Sequence, residues 1–192
     1  PDAPNPLPPT TSMNLNSACT DTGYGGPECT VNADDDVVLT PTGTMTLGNV
    51  SLTGSSILYL YPGTYNINSL SFTGNSKIQV MGAGNVILNI AGLDADGEYL
   101  ATAVDFEGQS ATNDTFDPAR LQITYAGTGI IKVAGGADTA ALVYAPNATV
   151  NMSGGAAWYG SIIGKTVNIS GGGTIHYDRS LQTSQMTLGS FM

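Results

Sequence analysis

The stretch "TVNMSGG" at residues 149–155 returns as "TVNISGG" at residues 166–172, identical at six of seven positions and 17 residues further on. The adjacent glycines argue against a helix, because each costs about 1 kcal/mol in a helix interior. Alternation places Val150 and Met152 on one face and Asn151 on the other, which is the pattern of a half-buried strand closed by a glycine turn. A period of about 20 residues is typical of a solenoid, in which each coil buries its apolar face on the next.

Related stretches lie further upstream. "VSLTGSSILYLYPG" begins at residue 50 and "LSFTGNSKIQVMGAG" at residue 70, and Val133 precedes Met152 by 19 residues. These unequal spacings indicate a degenerate solenoid rather than a propeller, whose blades need about 40–45 residues each. We therefore predict an all-β, single-domain β-solenoid, a right-handed parallel β-helix. The residues predicted to face its interior are apolar: Val50, Leu52, Ile57, Leu58, Leu60, Leu70, Phe72, Ile78, Val80, Val133, Val150, Met152, Val167 and Ile169.

Three segments follow from composition and period. Residues 1–36 form an N-terminal arm that is rich in proline and therefore favours extended backbone. Residues 37–181 form the solenoid, with one lateral insertion at about residues 93–120, where the period breaks. Residues 182–192 form a C-terminal tail.

The composition argues against several binding partners and against a membrane span. Charged residues make up 10% of the chain, against about 25% in an average domain. The net charge of −10 argues against binding to nucleic acid or to an anionic membrane through a basic patch. No apolar run reaches 18 residues, so we expect no membrane span in this chain. Because the sequence begins with Pro1, we expect it to be a mature or excised piece of a longer product.

Cys19 and Cys29 enclose "TDTGYGGPE", a loop of turn-forming residues. In an extracellular, Thr- and Asn-rich chain, this spacing predicts a disulfide bridge. The alternative is two free thiols. A metal site is disfavoured, because two cysteines without a nearby histidine leave the coordination shell incomplete.

Several motifs together carry a resemblance to a known family. They are "DPARLQITYAGTG" (residues 117–129), "LVYAPNATVNMSGG" (142–155) and "WYGSIIGKTVNISGGGTIHYDRSL" (158–181). Residues 37–181 resemble the C-terminal domain of unknown function found in bacterial PilX-like pilus-assembly and surface proteins, most strongly over their last 65 residues. The resemblance implies an extracellular β-solenoid attached to pilus or surface machinery, and it provides no catalytic residues.

Three candidate sites each have a structural alternative. Asp94, Asp96 and Glu98 in "DADGE" resemble the start of a calcium loop, but a solvated acidic loop has the same composition. The aromatic pair Trp158 and Tyr159 suits stacking on a sugar if it is exposed, and filling of the solenoid if it is buried. His176 and Asp178 in "IHYD" form either an acid/base pair or the cap of a terminal strand, and the lack of a recognisable nucleophile favours the cap.

The arm offers a route to assembly. A terminal coil exposes unpaired backbone groups, to which another strand can add. Met13, Leu15 and Val31 supply apolar side chains for such a strand, either on its own solenoid or on a neighbouring copy. Head-to-tail addition between copies does not close and so generates a filament.

The sequence thus favours a non-enzymatic structural protein of the bacterial cell surface, a pilus-associated or filament-forming subunit without a cofactor. Its expected partners are other copies of itself or pilus and surface proteins. The alternative is a carbohydrate-binding or polysaccharide-active β-helix, because fold alone does not decide function. A polysaccharide lyase needs cationic groups along a groove, yet the chain has only five Lys and Arg residues.

Overall fold

The computed structural model describes residues 19–20, 28–31, 36–107, 111–113, 116–134, 138–155 and 157–182. In these residues the chain forms fifteen β-strands and two short 3-10 turns, Pro118–Arg120 and Arg179–Gln182. The strands in chain order are β1 (Cys19–Thr20), β2 (Glu28–Val31), β3 (Asp36–Leu39), β4 (Thr44–Leu52), β5 (Ile57–Leu60), β6 (Gly63–Phe72), β7 (Lys77–Val80), β8 (Val86–Ile90), β9 (Thr102–Phe106), β10 (Ala111–Thr112), β11 (Leu121–Tyr125), β12 (Ile130–Ala134), β13 (Thr139–Ser153), β14 (Ala157–Ile169) and β15 (Thr174–His176).

Parallel pairing stacks β2 to β15 into a coil of about six turns with three faces. β1 pairs antiparallel with β2. The first face contains the first halves of β4, β6, β13 and β14, together with β8, β11 and β15. The second face contains β2, β9, β12 and the second halves of the same four long strands. The third face contains β3, β5, β7 and β10. The predicted all-β solenoid is confirmed, and its right-handedness stays a prediction.

The strand register confirms the repeats seen in the sequence. Val150 lies beside Val167 and Met152 beside Ile169, so the two "TVN" stretches occupy neighbouring coils. Val133 is the partner of Met152. The stretches that begin at residues 50 and 70 also pair in register, over both the second and the third face.

The core is a continuous column of apolar side chains inside the coil. Phe72 and Phe106, on neighbouring coils of the second face, stack with ring centroids 5.2 Å apart. The predicted interior residues are buried with three exceptions. Ile57 is half-buried because strict alternation directs Leu58 inward and so turns Ile57 outward. Val167 and Ile169 point inward but are 37% and 46% exposed, because they belong to the last long strand of the stack.

The predicted insertion at residues 93–120 is partly a coil strand. β9 lies on the second face between β6 and β12, and its Val104 and Phe106 are buried. The lateral part before β9 is a loop closed by an isolated antiparallel bridge between Leu93 and Tyr99. A second excursion follows β10 and leads into the turn Pro118–Arg120.

Stacked glycines form one corner of the coil. Gly54 and Gly74 follow the second face in neighbouring coils and have φ angles of 68° and 72°. A Cβ atom on Gly74 would lie 2.8 Å from the carbonyl oxygen of Gly54, so only glycine allows this approach. The same corner buries Ser56 and Ser76, whose hydroxyls donate to the carbonyls of Thr53 and Thr73.

Candidate functional site

The C-terminal end of the solenoid exposes part of the apolar column. Val167, Ile169 and Ile175 are 37%, 46% and 37% exposed, although their neighbours one coil earlier, Val150, Met152 and Trp158, are buried. We call these three exposed residues the terminal patch. β15 pairs with β14 only at residues 157–159. Among the described residues, the second half of β14 therefore has a strand neighbour on one side only.

An aromatic stack lies on the outer side of the same end. The ring of Tyr159 stacks on that of His176, with centroids 4.8 Å apart and planes 15° apart. Phe116 packs edge-on against Tyr159 at 5.7 Å. Thr174 Oγ1 lies 3.1 Å from Nε2 of His176. His176 thus joins the last coil to the preceding one through its ring. The cap of the terminal strand that the sequence favoured for His176 and Asp178 stays a prediction.

The two residues predicted to stack on a sugar, Trp158 and Tyr159, lie on opposite faces of β14. Trp158 is 1% exposed, and its Nε1 donates a hydrogen bond of 3.1 Å to the carbonyl of Ala141. Alternation along β14 turns Tyr159 to the outside, where it contacts His176 and Phe116. The prediction of a sugar-stacking role is therefore wrong for Trp158, whose ring fills the interior.

In the acidic loop the carboxylate of Asp94 bonds to the backbone. Oδ1 of Asp94 accepts hydrogen bonds from the N–H groups of Asp96 at 3.0 Å and Glu98 at 2.9 Å. A carboxylate used in this way closes a turn. In the described part of the chain, no three His, Cys, Asp or Glu side chains form a group that could hold a metal ion. Calcium binding by these three residues stays a prediction, and the geometry assigns Asp94 to the turn.

Strands β1 and β2, which contain Cys19 and Cys29, lie at the other end of the solenoid. β1 and β2 pair antiparallel with Cys19 directly opposite Cys29. Directly opposed residues of such a pair have Cα atoms about 4.5–5.5 Å apart, within the range that a disulfide requires. The structure describes these two cysteines by their backbone pairing alone, so the bridge stays a prediction. Val31 pairs with Leu52 of its own solenoid, while Met13 and Leu15 lie outside the described residues.

Polar ladders that sequence reasoning missed connect the coils from outside. Asn89 donates to Asn66 at 3.0 Å and accepts from the hydroxyl of Thr124 at 2.6 Å. On the second face Asn168 donates to Asn151 at 2.9 Å. The sequence contains the pattern that indicates these ladders, because each asparagine recurs at the outward position of an aligned repeat.

Comparison with known proteins identifies a family. The model of a domain of unknown function, DUF7305, matches residues 67–184, which is more than half of the chain. The chain belongs to the DUF7305 family. No curated protein and no solved structure matches it.

The DUF7305 match begins within β6 and runs past Gln182. It therefore includes the terminal patch and the aromatic stack, and it excludes β1 to β5. The resemblance to surface proteins seen in the sequence covered a longer range, residues 37–181. Among the described residues of this DUF7305 member, no helix is long and apolar enough to span a bilayer.

Proposed function

We propose that this DUF7305 domain is a non-enzymatic structural module of the bacterial cell surface, a rigid body that belongs to pilus-like or other surface assemblies. The observation that carries the proposal is the uninterrupted stacking of coils. Each described coil is joined to the next by parallel backbone pairing that continues from β2 to β15. A solenoid of this kind owes its stability to the interfaces between neighbouring coils.

Side-chain bonds between coils add to this rigidity. Nδ2 of Asn68 donates at 2.8 Å both to Oδ1 of Asn49 in the preceding coil and to the carbonyl of Leu93 in the following loop. The buried amide therefore fixes three successive segments at one corner. Such a network restricts sliding of one coil on another, which is the mechanical property that a structural module needs.

Two of the five cationic side chains, Lys132 and Arg120, bond to other groups of the same solenoid. Nζ of Lys132 contacts Oε1 of Glu107 and lies 3.4 Å from Oδ2 of Asp105. The guanidinium of Arg120 donates to the carbonyls of Met81, Gly82 and Gly84 at a corner of the coil. A polysaccharide lyase would need such cations free along a groove, and their internal use supports the structural proposal over that one.

The proposed location and partners of the domain are argued from the sequence. Low charge and many Thr, Ser and Asn residues suit an extracellular surface. The resemblance to pilus-assembly and surface proteins supports such proteins, or further copies of the chain, as the proposed partners. Val31 does not supply this contact, because β2 adds to its own solenoid. Assembly through Met13 and Leu15 stays a prediction.

Labelling of intact bacteria tests the location. Antibodies raised against residues 37–182 should bind unpermeabilised cells of the source bacterium, and protease added to intact cells should remove the signal. A cytoplasmic protein serves as the control that stays unlabelled and undigested. Labelling that appears only after permeabilisation would contradict the proposal.

Polysaccharide binding is a second candidate function, favoured by Phe116. This residue is 57% exposed and has a φ angle of 52°, a left-handed conformation that is strained for a bulky side chain. Strained residues cluster at functional sites, and an exposed ring suits stacking on a sugar.

Binding to surface polysaccharides of the source bacterium should weaken in Phe116→Ala. Binding should persist in the control variant Val38→Ala. This variant removes another exposed apolar side chain, 54% exposed, from a distant part of the sequence. Equal binding by both variants would eliminate this candidate.

A further inference from the structure

One charged pair lies among neutral outward side chains of the second face. Asp105 on β9 is the register partner of Lys132 on β12. Both residues alternate with buried apolar neighbours along their strands and therefore point outward. The next partners in the same row are neutral, Ser71 on β6 and Asn151 on β13. The row thus brings an amine directly beside a carboxylate.

A second carboxylate contacts the same amine. Nζ of Lys132 contacts Oε1 of Glu107 and lies 3.4 Å from Oδ2 of Asp105. Glu107 directly follows β9, and its backbone N–H donates to the carbonyl of Phe72 at 3.1 Å. This bond continues the pairing of β9 with β6. The amine therefore lies between two carboxylates that are both carried by paired backbone.

The two carboxylates differ in their surroundings. The side chain of Asp105 is 29% exposed, and that of Glu107 is 47% exposed. Oδ1 of Asp105 is buried and has no hydrogen-bond partner within the described part of the chain. An ionised carboxylate is costly to bury in this way, whereas a neutral amide oxygen is buried at a lower cost. Asp105 is therefore the carboxylate that gains from losing its charge, while Glu107 can keep its charge in water.

We propose that Lys132 and Asp105 become joined by an intramolecular amide bond between Nζ and Cγ, with Glu107 as the general acid and base. The ammonium first passes one proton to the carboxylate of Asp105, which gives a neutral amine and a neutral acid. Nζ then attacks Cγ, and the C–N bond forms. Glu107 takes a proton from that nitrogen and delivers it to the departing hydroxyl, so that the C–O bond breaks and one water leaves. Glu107 ends as a carboxylate again.

The solenoid supplies the geometry that this reaction needs. Parallel pairing holds the two backbones about 4.8 Å apart. Asp105 and Lys132 face each other in that pairing as register partners. Two groups held in this way react as if in one molecule, with effective molarities of about 10⁵–10⁸ M for well-oriented pairs. The amine, the acid and the base all belong to the folded chain, so the reaction requires no other reactant.

The bond would join two coils where the repeat is interrupted. β9 lies between two departures from the coil, the loop closed by Leu93 and Tyr99 before it and the excursion to the turn Pro118–Arg120 after it. An amide from Asp105 to Lys132 links β9 to the next strand of the second face, across a sequence separation of 27 residues. The proposal does not depend on where the protein is located, so its test and the labelling of cells succeed or fail separately.

Intact-mass spectrometry of the full chain, with its cysteines reduced, tests for the bond. The unchanged chain should be lighter than its sequence mass by one water molecule. After tryptic digestion, the peptides that contain residues 105 and 132 should be found joined. Lys132→Arg keeps the positive charge but lacks the nucleophilic amine, so it should have its full sequence mass. Lys165→Arg is the matched control and should still lose one water.

Two variants distinguish the roles of the carboxylates. Asp105→Asn should lose one ammonia instead of one water and give the same joined product, because the amine displaces the amide nitrogen of the asparagine. Glu107→Gln cannot relay the proton, so in a time course after refolding it should form the bond about 10²–10⁴-fold more slowly.

A full sequence mass for the unchanged chain would overturn the proposal and leave Lys132 as an ion pair with the two carboxylates. A loss of water that persists in Lys132→Arg would overturn it as well. So would a joined peptide in which the bond maps to Glu107, or equal rates of bond formation with and without the Glu107 carboxylate.

Discussion

The stacked glycine corner yields a prediction whose magnitude follows from the geometry. Gly74 has a φ angle of 72°, and an added Cβ would lie 2.8 Å from the carbonyl oxygen of Gly54. That oxygen also accepts a 2.7 Å hydrogen bond from the backbone N–H of Asn75. Gly74→Ala should therefore incur about 1–2 kcal/mol of left-handed backbone strain and about 1–3 kcal/mol from the forced separation of two coils. The expected loss is about 2–5 kcal/mol in the free energy of unfolding.

Gly97→Ala is the matched control. Gly97 has a φ angle of 82°, but nothing lies within 4 Å of its added Cβ. This variant should lose only the backbone term of about 1–2 kcal/mol. Gly97→Asn should lose less still, because asparagine tolerates left-handed backbone, whereas Gly74→Asn should remain severely destabilised.

Urea denaturation followed by circular dichroism measures the difference between the two sites. The midpoint for Gly74→Ala should fall well below that for Gly97→Ala, with little change in the slope m. The reasoning is refuted if the two alanine variants unfold at the same urea concentration. Equal midpoints would mean that backbone strain alone explains the glycines and that the coils do not depend on this close approach.

Three further predictions concern single side chains. The hydroxyl of the buried Tyr65 lies 3.0 Å and 2.8 Å from the carbonyl oxygens of Leu39 and Tyr61, and burial raises the pKa of Tyr65 above its usual value of 10.0. Unfolded tyrosine ionises at about pH 10 while the folded residue keeps its proton, so stability should fall as the pH rises above about 10. In Tyr65→Phe, neutral-pH stability should drop by about 1–3 kcal/mol and the alkaline loss should become shallower, and an unchanged alkaline slope would count against this assignment. Trp158 is the only tryptophan, so its emission should be blue-shifted and resistant to a soluble quencher in the native state, and ready quenching would contradict its burial. Mass spectrometry of the unreduced protein should find Cys19 bonded to Cys29, whereas two alkylatable thiols would exclude the bridge.

The repeats allowed much of the fold to be predicted, because a solenoid repeats one local pattern. The "TVN" stretches alternate apolar and polar residues, and this alternation alone places Val150 and Met152 inside. The spacing of the copies also predicts which residues pair, since in-register parallel strands put equivalent positions side by side. Both inferences use only information contained within one or two coils.

Position in the stack was not predictable in the same way. Val167 has the same local sequence as Val150, yet it is 37% exposed while Val150 is fully buried. Burial of a coil residue depends on the coils before and after it, and no local pattern states which copy is the last. β9 shows the reverse effect, because Val104 and Phe106 join the core from a stretch in which the period had broken down.

Local sequence was also insufficient to predict the roles of the candidate site residues. The sequence places Trp158 and Tyr159 side by side, which suggests one shared role. The alternation of β14 separates them, so that Trp158 bonds to Ala141 inside while Tyr159 stacks on His176 outside. The contact between Tyr159 and Phe116 depends on an excursion of the chain more than 40 residues earlier, which no repeat encodes.

The two ends of the solenoid pose one physical problem, and the chain meets it differently at each. At the N-terminal end, β2 continues the second face over β4, and β1 folds back on β2 in an antiparallel pair. An antiparallel reversal interrupts the parallel stack, so another copy cannot simply continue it there. At the C-terminal end the stack stays parallel through β15, and the terminal patch of Val167, Ile169 and Ile175 is exposed. A parallel edge that carries apolar side chains is the kind of edge to which another strand adds. Of the two ends, the C-terminal one is therefore the end at which the parallel stack can be extended.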